Sequence, residues 1–170
     1  MKVEILAVGT EVLMGDIVNT NAQYIARMLS RVGLGTYYHS AIGDNAERLK
    51  QVLEIGFKRA DIIIATGGLG PTKDDLTKEV AAEFFNKKMI LDETTLKNIE
   101  EYFHKLGRSL PDNNAKQAYF PESSHIIPND YGTAPGCIIE ENNKVLIMLP
   151  GPPRELKPMF RNYVLPYLKK

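Results

Sequence analysis

Residues Ile62-Ile63-Ile64-Ala65-Thr66-Gly67-Gly68-Leu69-Gly70-Pro71-Thr72-Lys73-Asp74-Asp75-Leu76-Thr77 pass from a wholly apolar run, through glycines, into the start of a helix. A strand apolar on both faces suits the middle of a parallel sheet covered by helices. Glycines at its end let the backbone come close to a ligand, and free amides at the helix start would face it, so the stretch reads as an anion seat. The same residues have a plain structural use as a tight turn capped by Asp74 or Asp75. Neither G-x-x-x-x-G-K-[ST] nor G-x-G-x-x-G occurs in it, which removes the support for a kinase or a nicotinamide dehydrogenase.

Working outward, Val3, Ile5, Leu6 and Val8 form a second apolar run ending at Gly9. Ala22, Ile25, Ala26, Leu29 and Val32 then recur at helical spacing, with Asn19, Thr20 or Asn21 available as a cap and Gly33 as a stop. A strand is expected over about 34–42, and a helix over about 46–59 with Leu49, Val52, Leu53 and Ile55 inward. Further helices are expected over 76–85 and over 93–106, the latter with Leu96, Ile99, Tyr102, Phe103 and Leu106 on one side. The segment around Pro111 to Asn114 reads as an irregular surface excursion. Cys137 to Glu140 and Val145 to Leu149 flank Asn142-Asn143, a pair that tolerates the positive φ of a hairpin turn. Pro152-Pro153 opens a last amphipathic helix. The expected fold is one α/β domain over 1–170, a three-layer α/β/α sandwich whose mainly parallel sheet takes in one antiparallel strand.

Ligands of open α/β sheets sit at the carboxyl edge. Asp44, in Ile42-Gly43-Asp44-Asn45, ends a strand there and would serve either a ligand or as the cap of the next helix. Acids beside a phosphate seat would repel the phosphate unless a cation intervenes or they act on water; a hard divalent ion uses one or two carboxylates plus phosphate oxygens. Asp44, Asp74 and Asp75 are therefore the candidate catalytic and metal-binding residues. In the loop after the first strand, Gly9, Thr10, Glu11, Asp16 and Asn19 are candidate ligand contacts, while Asn21 is favoured as a cap. Gly132, Thr133 and Gly151 lie in two further turns at strand ends, and Lys116 is a cation able to reach a phosphate. Glu155 reads as a first-turn acid favoured by the helix dipole.

Composition narrows the class. Lys plus Arg and Asp plus Glu both number 21 in 170 residues, so no positive field gathers nucleic acid. No long apolar run marks a membrane span, and the amino terminus enters a strand at once, which gives a cytoplasmic expectation. Cys137 is the single cysteine, which excludes an internal disulfide and a multi-cysteine metal site, and the three histidines share no ligand spacing.

Gly9-Thr10-Glu11, Gly15 through Ala22, Gly43-Asp44-Asn45, Thr66 through Thr77, Asn114 through Ala118 and Gly132 through Gly136 together resemble the amino-terminal domain of the CinA competence/damage-inducible family. The similarity runs in order over essentially the whole chain. That domain shares its fold with the MoaB/MogA molybdenum-cofactor proteins, whose Thr-Gly-Gly-x-Gly loop is matched by Thr66 to Gly70, and whose two functional aspartates are matched by Asp44 and Asp75. The resemblance implies a metal-dependent ADP-ribose pyrophosphatase releasing AMP and ribose 5-phosphate, with the diphosphate on the amides of Gly67, Gly68, Leu69, Gly70 and Thr72 around Pro71, and with Glu11, Asp16 and Asn19 beside the ribose. It leaves two alternatives open: molybdopterin binding or adenylylation, and a non-catalytic nucleotide-binding module. It also implies a homo-oligomer. The carboxy-terminal deamidase domain of many family members is not expected within 1–170.

Overall fold

The computed structural model describes residues 1–169. Its main sheet has six strands in the order β2-β1-β3-β8-β7-β6, formed by β1 (Lys2–Val8), β2 (Gly35–Ile42), β3 (Ile62–Thr66), β6 (His125–Ile127), β7 (Gly136–Glu141) and β8 (Lys144–Leu149). β1, β2, β3 and β8 pair in parallel, and β7 pairs antiparallel with both of its neighbours. The strand period of two splits each apolar run between two cores. Val3, Ile5, Ile62 and Ile64 pack with Ile25 and Leu29 of α2 (Thr20–Ser30) and with Leu156 and Met159 of α6 (Pro153–Met159). Leu6, Val8, Ile63 and Ala65 face the other way, onto Leu49, Leu53 and Phe57 of α3 (Ala46–Arg59) and Val80 and Ala81 of α4 (Thr77–Phe84). The expected sandwich with its single reversed strand is the observed one.

Particular residues depart from expectation. Ile55 is exposed and Phe57 takes its place inside, because Ile55 falls roughly 120° around the helix from Leu49 whereas Leu53 and Phe57 follow at four-residue steps. The helix α5 (Glu93–Lys105) buries Thr95 and Ile99 but leaves Tyr102 and Leu106 exposed. It packs chiefly on a 3-10 helix, Asp112–Ala118, that replaces the expected irregular excursion. Two short strands, β4 (Met89–Leu91) and β5 (Tyr119–Pro121), pair beside them as a separate ribbon. Asn142 and Asn143 both have positive φ, as the hairpin between β7 and β8 requires.

Three ionisable groups are buried in the core on the α3 and α4 side. Glu4 is fully buried in β1; Arg59 Nε donates to its Oε2 at 2.8 Å, and Arg59 Nη2 and Ser40 Oγ donate to its Oε1 at 2.7 and 2.6 Å. Lys78 Nζ donates to the Gln117 carbonyl at 2.8 Å and lies 4.3 Å from the centre of the Phe120 ring. Burial pushes its pKa down to about 8. Cys137 is a buried strand thiol, pushed up to about 12 by desolvation.

Candidate functional site

β1, β2, β3 and β8 end in register, with Val8 beside Ile42, Ala7 beside Thr66 and Thr66 beside Leu149, and their loops converge on one edge. There they line a cavity of about 670 Å³. Strand order lays the loops out in a row: Asp44 after β2, Gly9 to Asn21 after β1, Gly67 to Asp75 after β3, Pro150 to Glu155 after β8, and Thr133 before β7. Adjacent strands lie about 4.8 Å apart, so the row from β2 to β7 spans roughly 19 Å.

The floor is the glycine turn. Gly67 and Gly68 have φ of 100° and 68°, and an added Cβ would collide with the Val8 carbonyl oxygen at Gly67 or with Thr77 Oγ1 at Gly68. Thr77 Oγ1 donates to Gly67 O at 2.9 Å and Gly67 N donates to Leu149 O at 2.9 Å, which fixes the turn against two neighbours. The amides of Gly68, Leu69 and Gly70 make no hydrogen bond among the described residues. Consecutive unspent amides of this kind form an anion-binding concavity. α4 starts only at Thr77, so the amides belong to the glycine turn and not to a helix start; those of Gly67 and Thr72, expected to hold phosphate, are already committed.

Carboxylates flank the turn. Asp44 Oδ2 accepts from Thr10 N and Thr10 Oγ1 at 3.1 and 3.0 Å, and Asp75 Oδ2 accepts from Thr72 N and Thr72 Oγ1 at 2.9 and 2.6 Å. Asp44 ties its loop to the neighbouring β1 loop with one oxygen and Asp75 holds its own loop with one, and each keeps the other oxygen without a hydrogen bond among the described residues. Asp44 does not cap α3; Asn45 does, its Oδ1 accepting from Arg48 N at 3.0 Å. Asp74 is exposed on the cavity rim. Among the described residues no three acids, histidines or cysteines gather closely enough to hold a metal by themselves. The donor set fits a hard cation only as a shared arrangement, one or two carboxylate oxygens plus the oxygens of a bound phosphate.

Of the other expected contacts, Gly9, Glu11, Asn19, Leu69, Gly70, Thr133 and Gly151 line the cavity, whereas Thr10, Asp16, Pro71, Gly132 and Lys116 do not. Thr10 braces Asp44 from behind. Asp16 is exposed outside, with its amide turned back onto Glu11 O at 3.0 Å. Lys116 Nζ donates to the carbonyls of Thr72, at 3.0 Å, and Asp75, and pairs with Glu79 at 3.2 Å; it clamps the loop and does not reach for a phosphate. Asn19 rather than Asn21 caps α2, accepting from Ala22 N at 3.0 Å. That frees Asn21 to donate from Nδ2 to Gly151 O at 2.7 Å, tying the β1 loop to the β8 loop. Gln117 and Glu155, both buried, also line the cavity, as do the apolar Val12, Ile17 and Val18. Only an acid at the start of a helix after a β8 loop pointed to Glu155, and that signal is shared with ordinary helix starts.

Among the described residues no helix is long and apolar enough to cross a membrane. The chain matches, over residues 4–170, the family described as "Probable molybdopterin binding domain". It is 62% identical over 168 residues to a CinA-like protein of Dictyoglomus thermophilum, covering 99% of this chain and 41% of that one. The chain thus spans about two-fifths of the length of the curated relatives it matches. The solved structure of CinA from Thermoplasma acidophilum superposes with a TM-score of 0.88 at 31% identity, over 97% of this chain and 96% of that one. The molybdopterin biosynthesis enzyme MoaB of Thermus thermophilus superposes with a TM-score of 0.65 at 20% identity, over 98% and 91%, a likeness of fold. A family match over residues 4–170, a curated CinA-like relative at 62% identity and a CinA structure that superposes over nearly the whole chain make it a CinA-like member of the molybdopterin-binding domain family.

Proposed function

We propose that the cavity binds ADP-ribose and hydrolyses its diphosphate, releasing AMP and ribose 5-phosphate, with a divalent cation shared between Asp44, Asp74 or Asp75 and the phosphates. The observation that carries this reading is the run of unspent amides at Gly68, Leu69 and Gly70, set between two carboxylates that each keep one free oxygen. The amides neutralise part of the diphosphate charge without adding a mobile side chain. Exposed Ile17 and Val18, beside Val12, offer the adenine a partly apolar seat, and Glu11 and Asn19 stand beside its ribose. The terminal ribose then extends toward Thr133.

A divalent cation held by Asp44, Asp74 or Asp75 would supply stabilisation of the phosphate charge and a lower pKa for the attacking water. The loop brace fixes Asp75 through Oδ2, so its other oxygen is positioned to accept a proton from the attacking water. That water's oxygen bonds to one phosphorus as the bridging P–O bond breaks, and the bridging oxygen leaves with the electron pair on the departing phosphate. The test is chromatography of ADP-ribose incubated with the protein and Mg²⁺ or Mn²⁺. AMP and ribose 5-phosphate should form, stop on chelation and resume when metal is restored; undiminished release in verified metal-free buffer refutes the cation.

The family description and the MoaB likeness favour a second reading, molybdopterin binding in the same cavity with its phosphate on the same amides. Absence of AMP under every metal, together with saturable pterin binding, would select it.

A further inference from the structure

Toward the end of the row opposite Asp44, Glu155 lines the cavity although it is only 7% exposed, and its carboxylate lies against Gly132 and Asn129 at the cavity's edge. Asn129 Nδ2 donates to its Oε2 at 2.8 Å, and Asn129 Nδ2 also reaches the Ala134 carbonyl at 3.0 Å, so the carboxylate is held in one orientation. Gly132 leaves the space it occupies, since a Cβ there would overlap the carboxylate. Oε1 accepts no hydrogen bond among the described residues; the nearest cation, Arg154 Nε, is 3.8 Å away on a side chain that is 80% exposed. With its one neutral donor on Oε2, the carboxylate keeps Oε1 available to a further donor, which a ligand in the adjoining cavity can supply.

We propose that Glu155 is a specificity-determining residue whose Oε1 receives the hydroxyls of a terminal sugar; this rests on the nucleotide reading above. An ionised carboxylate accepts hydrogen bonds and donates none, so it rejects a terminal phosphate and welcomes vicinal hydroxyls. Adenine suits it poorly, because its amino group is flanked by ring nitrogens that are acceptors, and the apolar seat for a base lies over the β1 loop instead. With the diphosphate on Gly68 to Gly70, over β3, the Pro150 to Glu155 loop over β8 lies one strand further along. Glu155 therefore sorts ligands ending in a sugar from those ending in phosphate.

The experiment is calorimetric titration of the parent and Glu155→Gln with methylene-bridged, non-hydrolysable analogues of ADP-ribose and of ADP, in Mg²⁺. Gln keeps the shape and can still accept from Asn129, and thermal melting on the same preparations verifies folding. Glu155→Gln should weaken the ADP-ribose analogue about tenfold or more while the ADP analogue holds or tightens. The parent alone supplies a second arm: an ADP-ribose analogue with a terminal 2-deoxyribose should bind it more weakly, and that difference should vanish in Glu155→Gln. Binding of the ADP-ribose analogue to the variant within about threefold of the parent overturns the proposal, as does an equal loss for both ligands. A parent that binds neither analogue refutes instead the nucleotide reading beneath it.

Discussion

Glu4 and Asp75 show what a carboxylate does in two different places of one sheet. Glu4 sits inside β1 with no exposure, and both its oxygens are taken up by Arg59 and Ser40. Asp75 lies beyond the end of β3, where Thr72 occupies one oxygen and leaves the other open to the cavity. Saturation of the first makes it part of the frame; the half-satisfied state of the second makes it chemically available. The same distinction separates Asn45, spent on capping α3, from its neighbour Asp44, which retains a free oxygen.

The comparison breaks most decisively at Asp75. Asp75→Asn keeps an oxygen to accept from Thr72 but loses the charge, and turnover of ADP-ribose should fall about a hundredfold or more, with the melting temperature nearly unchanged. If AMP release stays within about threefold of the parent, Asp75 belongs with Glu4 as structure.

Glu4→Ala should show the reverse. Removing it strands Arg59, and because Arg59 is about a third exposed the residual charge is partly solvated, so a loss of about 3 kcal/mol in denaturant unfolding is expected, with ligand affinity unchanged below the transition. A stable variant with weakened nucleotide binding would erase the distinction.

Lys78 sharpens it with the opposite charge, being buried on a carbonyl and an aromatic ring with no carboxylate salt bridge among the described residues. Its folded pKa of about 8 lies below the ordinary lysine value of 10.5, so above pH 8 the unfolded chain binds the proton that the folded one has released. Stability should then rise with pH relative to Lys78→Met, by about 1–2 kcal/mol between pH 8 and pH 9.5. Unfolding curves of both proteins at several pH values check this, and parallel pH profiles would contradict it.

Local chemistry made much of the frame readable in advance. The runs at Val3 to Val8 and Ile62 to Ala65, the stop at Gly33 and the turn at Asn142-Asn143 depend on near neighbours, and they stand where periodicity and turn preference put them. Glu4 carries no local signal inside its apolar run because its partners are 36 and 55 residues away. The β4 and β5 ribbon and β6 are three-residue strands that exist only through distant pairing, too short for a pattern of their own. At the cavity, the glycine turn and the aspartates were legible as residue types in a loop. Which amides remain unspent, that Lys116 clamps instead of binding, and that Glu155 is buried all follow from loops meeting across strands.

The Lys116 clamp also bears on the order of assembly. Its contacts with Thr72 and Asp75 close spans of 44 and 41 residues, through a segment that contains α4, β4 and α5. Closures over such distances cost chain entropy and come after local structure has formed. The anion seat therefore needs both the sheet that carries the glycine turn and the docked 3-10 segment that clamps Thr72 and Asp75, and it acquires its shape only when the two are together. Refolding should regain the far-ultraviolet signal of the sheet before it regains affinity for a phosphate ligand.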